Sequence, residues 1–132
     1  MRKAAKGELE EFALKVVCKQ QVIQQNLETH VINEKRICAI VDHPNIMSFY
    51  RTYQDKHNIY FILEYIRGQE LFDAIRVIGL LGTSDSQYFI GSILLALEYL
   101  HHRFIIYRDL KPENVMIDDH GVLKVIDLGT AK

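Results

Sequence analysis

The chain has 132 residues, a length that one compact domain or two small lobes can fill. Apolar residues make up 48% and charged residues 25%, which excludes disordered and membrane-spanning classes, and a net charge of −1 offers no bulk attraction to nucleic acid or lipid. Cys18 and Cys38 are too few for a disulfide framework, none of the six histidines stands at a metal-ligand spacing, and no apolar run reaches the ~20 residues of a membrane helix. The expectation is a reduced, soluble, cytoplasmic chain with no nucleic-acid partner and no membrane segment; composition says nothing of oligomeric state.

In chain order, residues 1–6 are small and basic without hydrophobic periodicity. Phe12-Ala-Leu-Lys-Val-Val17 reads as a strand interrupted by one charge, Lys15. Leu27, Val31, Glu34, Cys38 and Val41 then follow at steps of four, three, four and three, which places them on one helical face. Asp42-His-Pro-Asn45 ends that helix, because Pro44 disfavours a helical residue before it. Ile46–Tyr53 and Asn58–Ile66 read as strands joined by a hairpin at Gln54-Asp-Lys-His57. Gly68 marks a break before a short helix over Glu70–Arg76. Thr83-Ser-Asp-Ser86 supplies helix-start chemistry for a long helix, Ser84–Arg103, with Phe89, Ile93, Leu97 and Leu100 on one face. Val115–Ile117 and Leu123–Ile126 flank Asp118-Asp-His-Gly121 as a second hairpin. A lobe boundary is expected near Ile66–Gly68.

Polarity breaks this pattern in four places. Lys15 sits inside an apolar strand and Glu34 inside an apolar helix stripe, and either would cost several kcal/mol if buried unpaired. A Lys15–Glu34 ion pair would resolve both; alternatively Lys15 snorkels to the surface and Glu34 lies on a partly open face. Tyr107-Arg-Asp-Leu-Lys-Pro-Glu-Asn114 packs charges and an amide between two apolar runs, which a solvated turn would also explain. Ile126-Asp-Leu-Gly129 argues for more: Asp127 ends an apolar strand, and Gly129 would let the chain turn sharply. If the residues between form a hairpin, the oxygens of Asn114 and Asp127 face a common space, and hard oxygen donors of that kind suit Mg²⁺ held together with phosphates.

These residues resemble protein kinases. Asp109-Leu-Lys-Pro-Glu-Asn114 is similar to the catalytic loop, Ala13-Leu-Lys15 to the third-strand lysine motif, and Asp127-Leu-Gly129 to the magnesium-binding motif, all in the family's order. The resemblance implies an α+β, two-lobe kinase-like fold, here incomplete: residues 1–66 as an N-lobe portion with an αC-like helix, then a hinge, and residues 67–132 as the start of a helical C-lobe with the catalytic-loop hairpin.

It also implies roles. Lys15 would contact the α- and β-phosphates of ATP, held by Glu34, while Asp109 accepts or orients the proton of the substrate hydroxyl. Lys111 would steady the transferred γ-phosphoryl group, and Asn114 and Asp127 would hold Mg²⁺. Arg108 resembles the arginine that reads activation-loop phosphorylation. Adenine would meet the backbone of Glu64–Ile66, with Leu63 as gatekeeper, Ala13 and Met116 sandwiching the ring and Glu70 near the ribose; plain core packing equally accounts for Ala13, Leu63 and Met116. Lys111-Pro-Glu113 resembles serine/threonine rather than tyrosine kinases. Tyr107 resembles the AGC group, and Phe72–Arg76, Ile78–Leu81 and Ile105–Asp109 its cyclic-nucleotide-dependent branch, especially the cGMP-dependent kinases of protists. The implied partner is a protein with a Ser/Thr acceptor preceded by basic residues, selected with the help of Glu70 and Glu113.

The sequence also departs from the pattern. It has no G-x-G-x-x-G, its only glycine before Lys15 being Gly7, and it stops three residues past Gly129. The expectation is therefore a partial kinase domain that alone binds ATP weakly at best and turns over negligibly. Leu128 stands where phenylalanine is usual and Gln69 where glycine is common, both with small expected effects. Two other readings compete: a truncated, non-catalytic kinase-like binding protein, and a small-molecule phosphotransferase, which Arg108–Asn114 and Lys111 disfavour.

Overall fold

A computed structural model describes residues 10–132, which fold around two three-stranded antiparallel sheets. Strands β1 (Phe12–Cys18), β2 (Phe49–Gln54) and β3 (Asn58–Glu64) form the first, in the order β1-β3-β2. Strands β4 (Gly68–Glu70), β5 (Val115–Asp118) and β6 (Leu123–Val125) form the second, in the order β4-β5-β6. Helices α1 (Lys19–Gln24) and α2 (Glu28–Ile40) lie between β1 and β2, α3 (Leu71–Ile78) and α4 (Thr83–His101) between β4 and β5, and a 3-10 turn covers Pro112–Asn114. The α+β class is as expected; the basic opening at residues 1–6 and Gly7 lie outside the described residues.

The pleat of β1 sets the orientation of Lys15. Phe12, Leu14 and Val16 are exposed, whereas Ala13, Lys15 and Val17 share the half-buried face. Helix α2 buries Glu34, Ile37 and Cys38, while Leu27 and Val41, the ends of the expected stripe, are its flanking cap residues. The short α1 is a separate element, because Asn26 adopts a left-handed backbone (φ 54°) and breaks the helix before α2. In the β2–β3 hairpin Asp55 accepts bonds from the backbone N–H groups of His57 and Asn58, both at 2.7 Å, fixing the turn.

Several boundaries differ from expectation. The second strand begins at Phe49, not Ile46; Ile46 is buried and forms an isolated bridge with Val125, linking the two sheets. Around that bridge, Met47 N–H donates to Val125 O (2.9 Å), Val125 N–H to Asn45 O (2.8 Å) and Asn45 Nδ2 to Leu123 O (2.9 Å). The short helix starts at Leu71 and runs to Ile78, because Gly68–Glu70 pair with β5 as a strand too short to show alternation. Gly68 is required there: a side chain would collide with the backbone of Ile117 and Asp118.

The most buried stripe of α4 is Ser92, Ala96 and Leu100, with Phe89, Ile93 and Leu97 half-buried beside it. Small residues bring the helix backbone close to the core, which ranking positions by apolar size alone does not foresee. The main core gathers Ile37 and Cys38 of α2, Ala96 and Leu100 of α4, Ile46, Ile105, Tyr107, Val125, Leu128 and Ala131. Leu128 is buried in the same core as Ile37 and Cys38 of α2. Among the described residues, no helix is long and apolar enough to cross a membrane.

Candidate active site

The strand–helix packing brings two of the misplaced charges together. Lys15 Nζ lies 2.7 Å from Glu34 Oε1 and 3.3 Å from Asp127 Oδ1. Of the two alternatives the sequence left open, the ion pair is the one formed. Burial pulls the Lys15 ammonium down, but the hydrogen bond and charge of Glu34, followed by Asp127, outweigh it and hold the pKa above the usual lysine value. Lys15 is thus a fixed cation with carboxylates on two sides.

The second group forms on the loop before β5. Asn114 is buried, and its Nδ2 donates to both Asp109 O (2.9 Å) and Asp109 Oδ2 (2.8 Å). Lys111 Nζ stands 3.0 Å from the same Oδ2. The hydrogen bond from Lys111, then that from Asn114, outweigh desolvation and hold the Asp109 carboxyl below the ordinary aspartate range; the Lys111 ammonium is raised by the same contact. Asp109 is consequently ionised at neutral pH and anchored from two directions. The 3-10 turn makes this possible: Asn114 N–H bonds back to Lys111 O at 2.9 Å, folding Asn114 towards Asp109.

Residues 126–132 lace this loop to the Asp127 segment. Ile126 N–H donates to Asn114 O (2.9 Å), Tyr107 Oη to Ile126 O (2.6 Å), and Arg108 Nε to Thr130 O (2.7 Å), while Ile106 and Lys132 exchange a pair of backbone bonds. Asn114 and Asp127 therefore leave adjacent rungs of one network. Burial, with the charges of Asp127 and Asp109, pushes the Tyr107 phenol up, so it acts here as a neutral donor.

The sharp turn after β6 is made differently from expectation. Gly129 is not left-handed; the left-handed residues are Asp127 (φ 57°) and, in the facing loop, Arg108 (φ 69°). What Gly129 provides is space, since a Cβ would sit 3.0 Å from Asp127 Oδ1 and 3.5 Å from Glu34 Oε2. Its N–H donates to Asp127 Oδ1 at 3.0 Å. Left-handed geometry costs a non-glycine residue about 1–2 kcal/mol, and in both cases the surrounding hydrogen bonds hold it.

The expected adenine residues are distributed over two clefts. Leu63 joins Lys15, Glu34, Cys38, Asp127 and Leu128 around an apolar cavity of about 230 Å³. Glu64 and Ile66 line a neighbouring polar cleft of about 310 Å³ with Arg67 and Asp118. Ala13 is the register partner of Leu63, and Met116 that of both Glu70 and Lys124; Ala13, Glu70 and Met116 line neither cleft. Glu113 is exposed on the 3-10 turn.

Sequence reasoning missed Cys38, Ile46 and Val125 as cavity walls, and the phenol of Tyr107 as a clamp. It also missed a partly buried ion pair, Lys124 Nζ to Glu64 Oε1 at 2.6 Å. The signal was present, for Lys124 interrupts an apolar strand as Lys15 does. Among the described residues, no three His, Cys, Asp or Glu side chains cluster as a self-sufficient metal cage. An amide and one carboxylate on adjacent rungs still fit Mg²⁺, which takes one or two carboxylates and completes its shell with water and substrate phosphates.

Comparison with known proteins gives the family. The family model for the protein kinase domain matches residues 2–132. The chain is 49% identical over 121 residues to the cGMP-dependent protein kinase of Plasmodium berghei, an alignment covering 92% of this chain and 14% of that protein. It is likewise 49% identical to the cGMP-dependent protein kinase of Toxoplasma gondii, covering 92% of this chain and 12% of that one. Against the cAMP-dependent protein kinase catalytic subunit of Arthrobotrys oligospora it is 39% identical over 128 residues, 97% of this chain and 25% of the relative. The chain thus spans between 12% and 25% of the length of these relatives.

Proposed function

This chain belongs to the protein kinase domain family, and from that premise we propose that its residues carry the Mg·ATP-binding and phosphoryl-transfer chemistry of a serine/threonine kinase of the cyclic-nucleotide-dependent kind. The observation that carries the reading is the placement of one bridged cation, Lys15, between Glu34 and Asp127, with the Asp109–Lys111–Asn114 group hydrogen-bonded to the same segment.

In this reading Lys15 neutralises the α- and β-phosphates of the nucleotide, and Glu34 keeps its ammonium from swinging away. Asp109, ionised and held by Asn114, accepts the proton of a serine or threonine hydroxyl. Lys111 shares charge with the transferred group. Asn114 and Asp127 would hold Mg²⁺, which when bound neutralises charge on the phosphates. Glu64 and Ile66 offer backbone groups to adenine beneath Leu63, with Ala13 and Met116 against the ring and Glu70 towards the ribose. Residues 1–66 and 67–132 serve as the two lobes. Glu70 and Glu113, both exposed acids, favour basic residues before the acceptor. A cytoplasmic place of action belongs to the same reading, since the reaction consumes ATP.

The 132 residues expose large apolar side chains, Leu80 and Phe104 almost completely and Ile90, Leu94 and Leu95 by more than half. Apolar exposure on that scale disfavours a stable fold of these residues by themselves, so the expected result for this polypeptide alone is weak Mg·ATP binding with negligible turnover. Isothermal calorimetry tests this: binding should require Mg²⁺ and be lost in Lys15→Met and Asp127→Ala but kept in Asp109→Asn. Binding that survives both Lys15→Met and Asp127→Ala would overturn the site. Robust transfer to a basic serine peptide, abolished by Asp109→Asn, would overturn the expectation of negligible turnover.

A further inference from the structure

We infer that Lys124 is a positioning residue for nucleotide selection, one that locks the adenine-facing end of β3 to the strand leading into Asp127. The inference rests on the proposal above that Glu64 and Ile66 receive the base. Glu64 is the last residue of β3, and its side chain is held at both oxygens. Oε1 accepts from Lys124 Nζ at 2.6 Å, and Oε2 accepts from Ser48 N–H at 2.9 Å, while Glu64 N–H donates back to Ser48 O at 2.9 Å. The side chains of Lys124 and Glu64 are only 14% and 21% exposed, so water screens this pair much less than a surface pair.

Geometry gives the pair a consequence beyond stability. Lys124 is the middle residue of β6, flanked by the fully buried Leu123 and Val125, so its backbone cannot shift without moving the core. Its register partner is Met116, and Asp127 follows three residues later. One end of the ion pair is thus fixed to the strand that leads into the phosphate-side aspartate, the other to the backbone offered to the base. Sixty residues separate the two in sequence. The pair adds a side-chain tie at Glu64 itself to the backbone bonds that already join residues 45–47 to β6.

Adenine presents an amine donor where guanine presents a carbonyl acceptor, so a hinge carbonyl tells them apart only if its position is rigid. Loss of Lys124 leaves the Glu64 carboxylate half-satisfied and inclined to swing towards solvent, pulling the backbone of 64–66 with it.

The test uses the full chain with Lys124→Met and Lys124→Arg. Two quantities are read: hydrogen exchange at the amides of residues 64–67 without nucleotide, and the affinity ratio of Mg·ATP to Mg·GTP. Lys124→Met is expected to speed exchange there by about tenfold and to lower the ATP-to-GTP ratio by about the same factor, with Mg·tripolyphosphate binding unchanged. Lys124→Arg is expected to preserve both. Should Lys124→Met destabilise the whole fold, Lys124→Gln, which keeps a donor without the charge, serves in its place. Unchanged exchange overturns the positioning role, as does faster exchange with an unaltered nucleotide ratio, which would make the pair purely structural. A wild-type chain that binds neither nucleotide overturns the reading of the base site itself, and exchange without nucleotide reports on the lock separately from it.

Discussion

The ammonium of Lys15 stands 3.3 Å from Asp127 Oδ1 although 112 residues separate the two in the chain. The same ammonium is 2.7 Å from Glu34, so a strand, a helix and the turn after β6 meet at one cation. Removing the cation should therefore cost more than removing either anion.

Lys15→Met leaves the nearly buried Glu34 carboxylate unpaired. Breaking a buried pair costs about 3–5 kcal/mol, discounted here to about 1–2 kcal/mol because the Lys15 side chain is 36% exposed. Glu34→Gln should cost less, since Asp127 still faces the ammonium. The folded-state pKa of Lys15 is raised, so its contribution is complete below the unfolded value of about 10.4 and lost as pH rises through the folded one. Urea midpoints of wild type and Lys15→Met should therefore differ at pH 7 and converge in strong alkali. Equal midpoints at pH 7 would sink the prediction.

Asn114→Ala removes two hydrogen bonds to Asp109 from a buried position. The expected loss is about 1–3 kcal/mol, through the unsatisfied groups left behind. Because Ile126 N–H bonds to the Asn114 backbone, which the substitution keeps, the β5–β6 hairpin should survive. Retention of the Val115 and Val125 amide signals in an NMR spectrum checks this, and their collapse would show that the amide supports the hairpin as well.

Lys111→Met removes the largest influence holding Asp109 below the normal aspartate range. A carboxyl NMR titration should show the Asp109 pKa moving up. A depressed pKa contributes stability above the unfolded value of about 3.9 and loses it as pH falls through the folded value. The melting temperatures of wild type and variant should thus differ at neutral pH and approach one another in acid. An Asp109 titration unmoved by the substitution would count against the pairing.

Cys38 lies in the core beside Glu34, where burial and then the Glu34 charge push its thiol up to about 12. At pH 8 about one molecule in ten thousand carries the thiolate. Alkylation by iodoacetamide should be at least about a hundredfold slower in the folded chain than in urea, and Glu34→Gln should speed it. Mass-spectrometric labelling rates check this; equally fast labelling of native and unfolded chain would refute the packing of α2.

The elements were legible where polarity or punctuation was strong. Lys15 and Glu34 stood out as charges in apolar stripes, Pro44 closed a helix, and the Asp118–Gly121 turn announced its hairpin. The second partner of Lys15 was not legible as a contact, because nothing local in Leu123–Gly129 records the distance to β1. Strand β4 has three residues and no alternation, so its pairing with β5 depends on the bare backbone of Gly68. Ser92 and Ala96 face the core because they are small, while the apolar pattern pointed to their larger neighbours. Lys124 carried the same signal as Lys15, but its partner Glu64 ends an ordinary strand and shows no break in pattern.

The left-handed backbone at Asp127 sets two selection pressures against each other. Glycine there would relax the chain and lighten the crowding around Gly129, yet it would delete the carboxylate facing Lys15. A variant library sorted for heat resistance should collect glycine or asparagine at this position, whereas the same library sorted for nucleotide retention should return aspartate. Position 127 is where the two sorts should part.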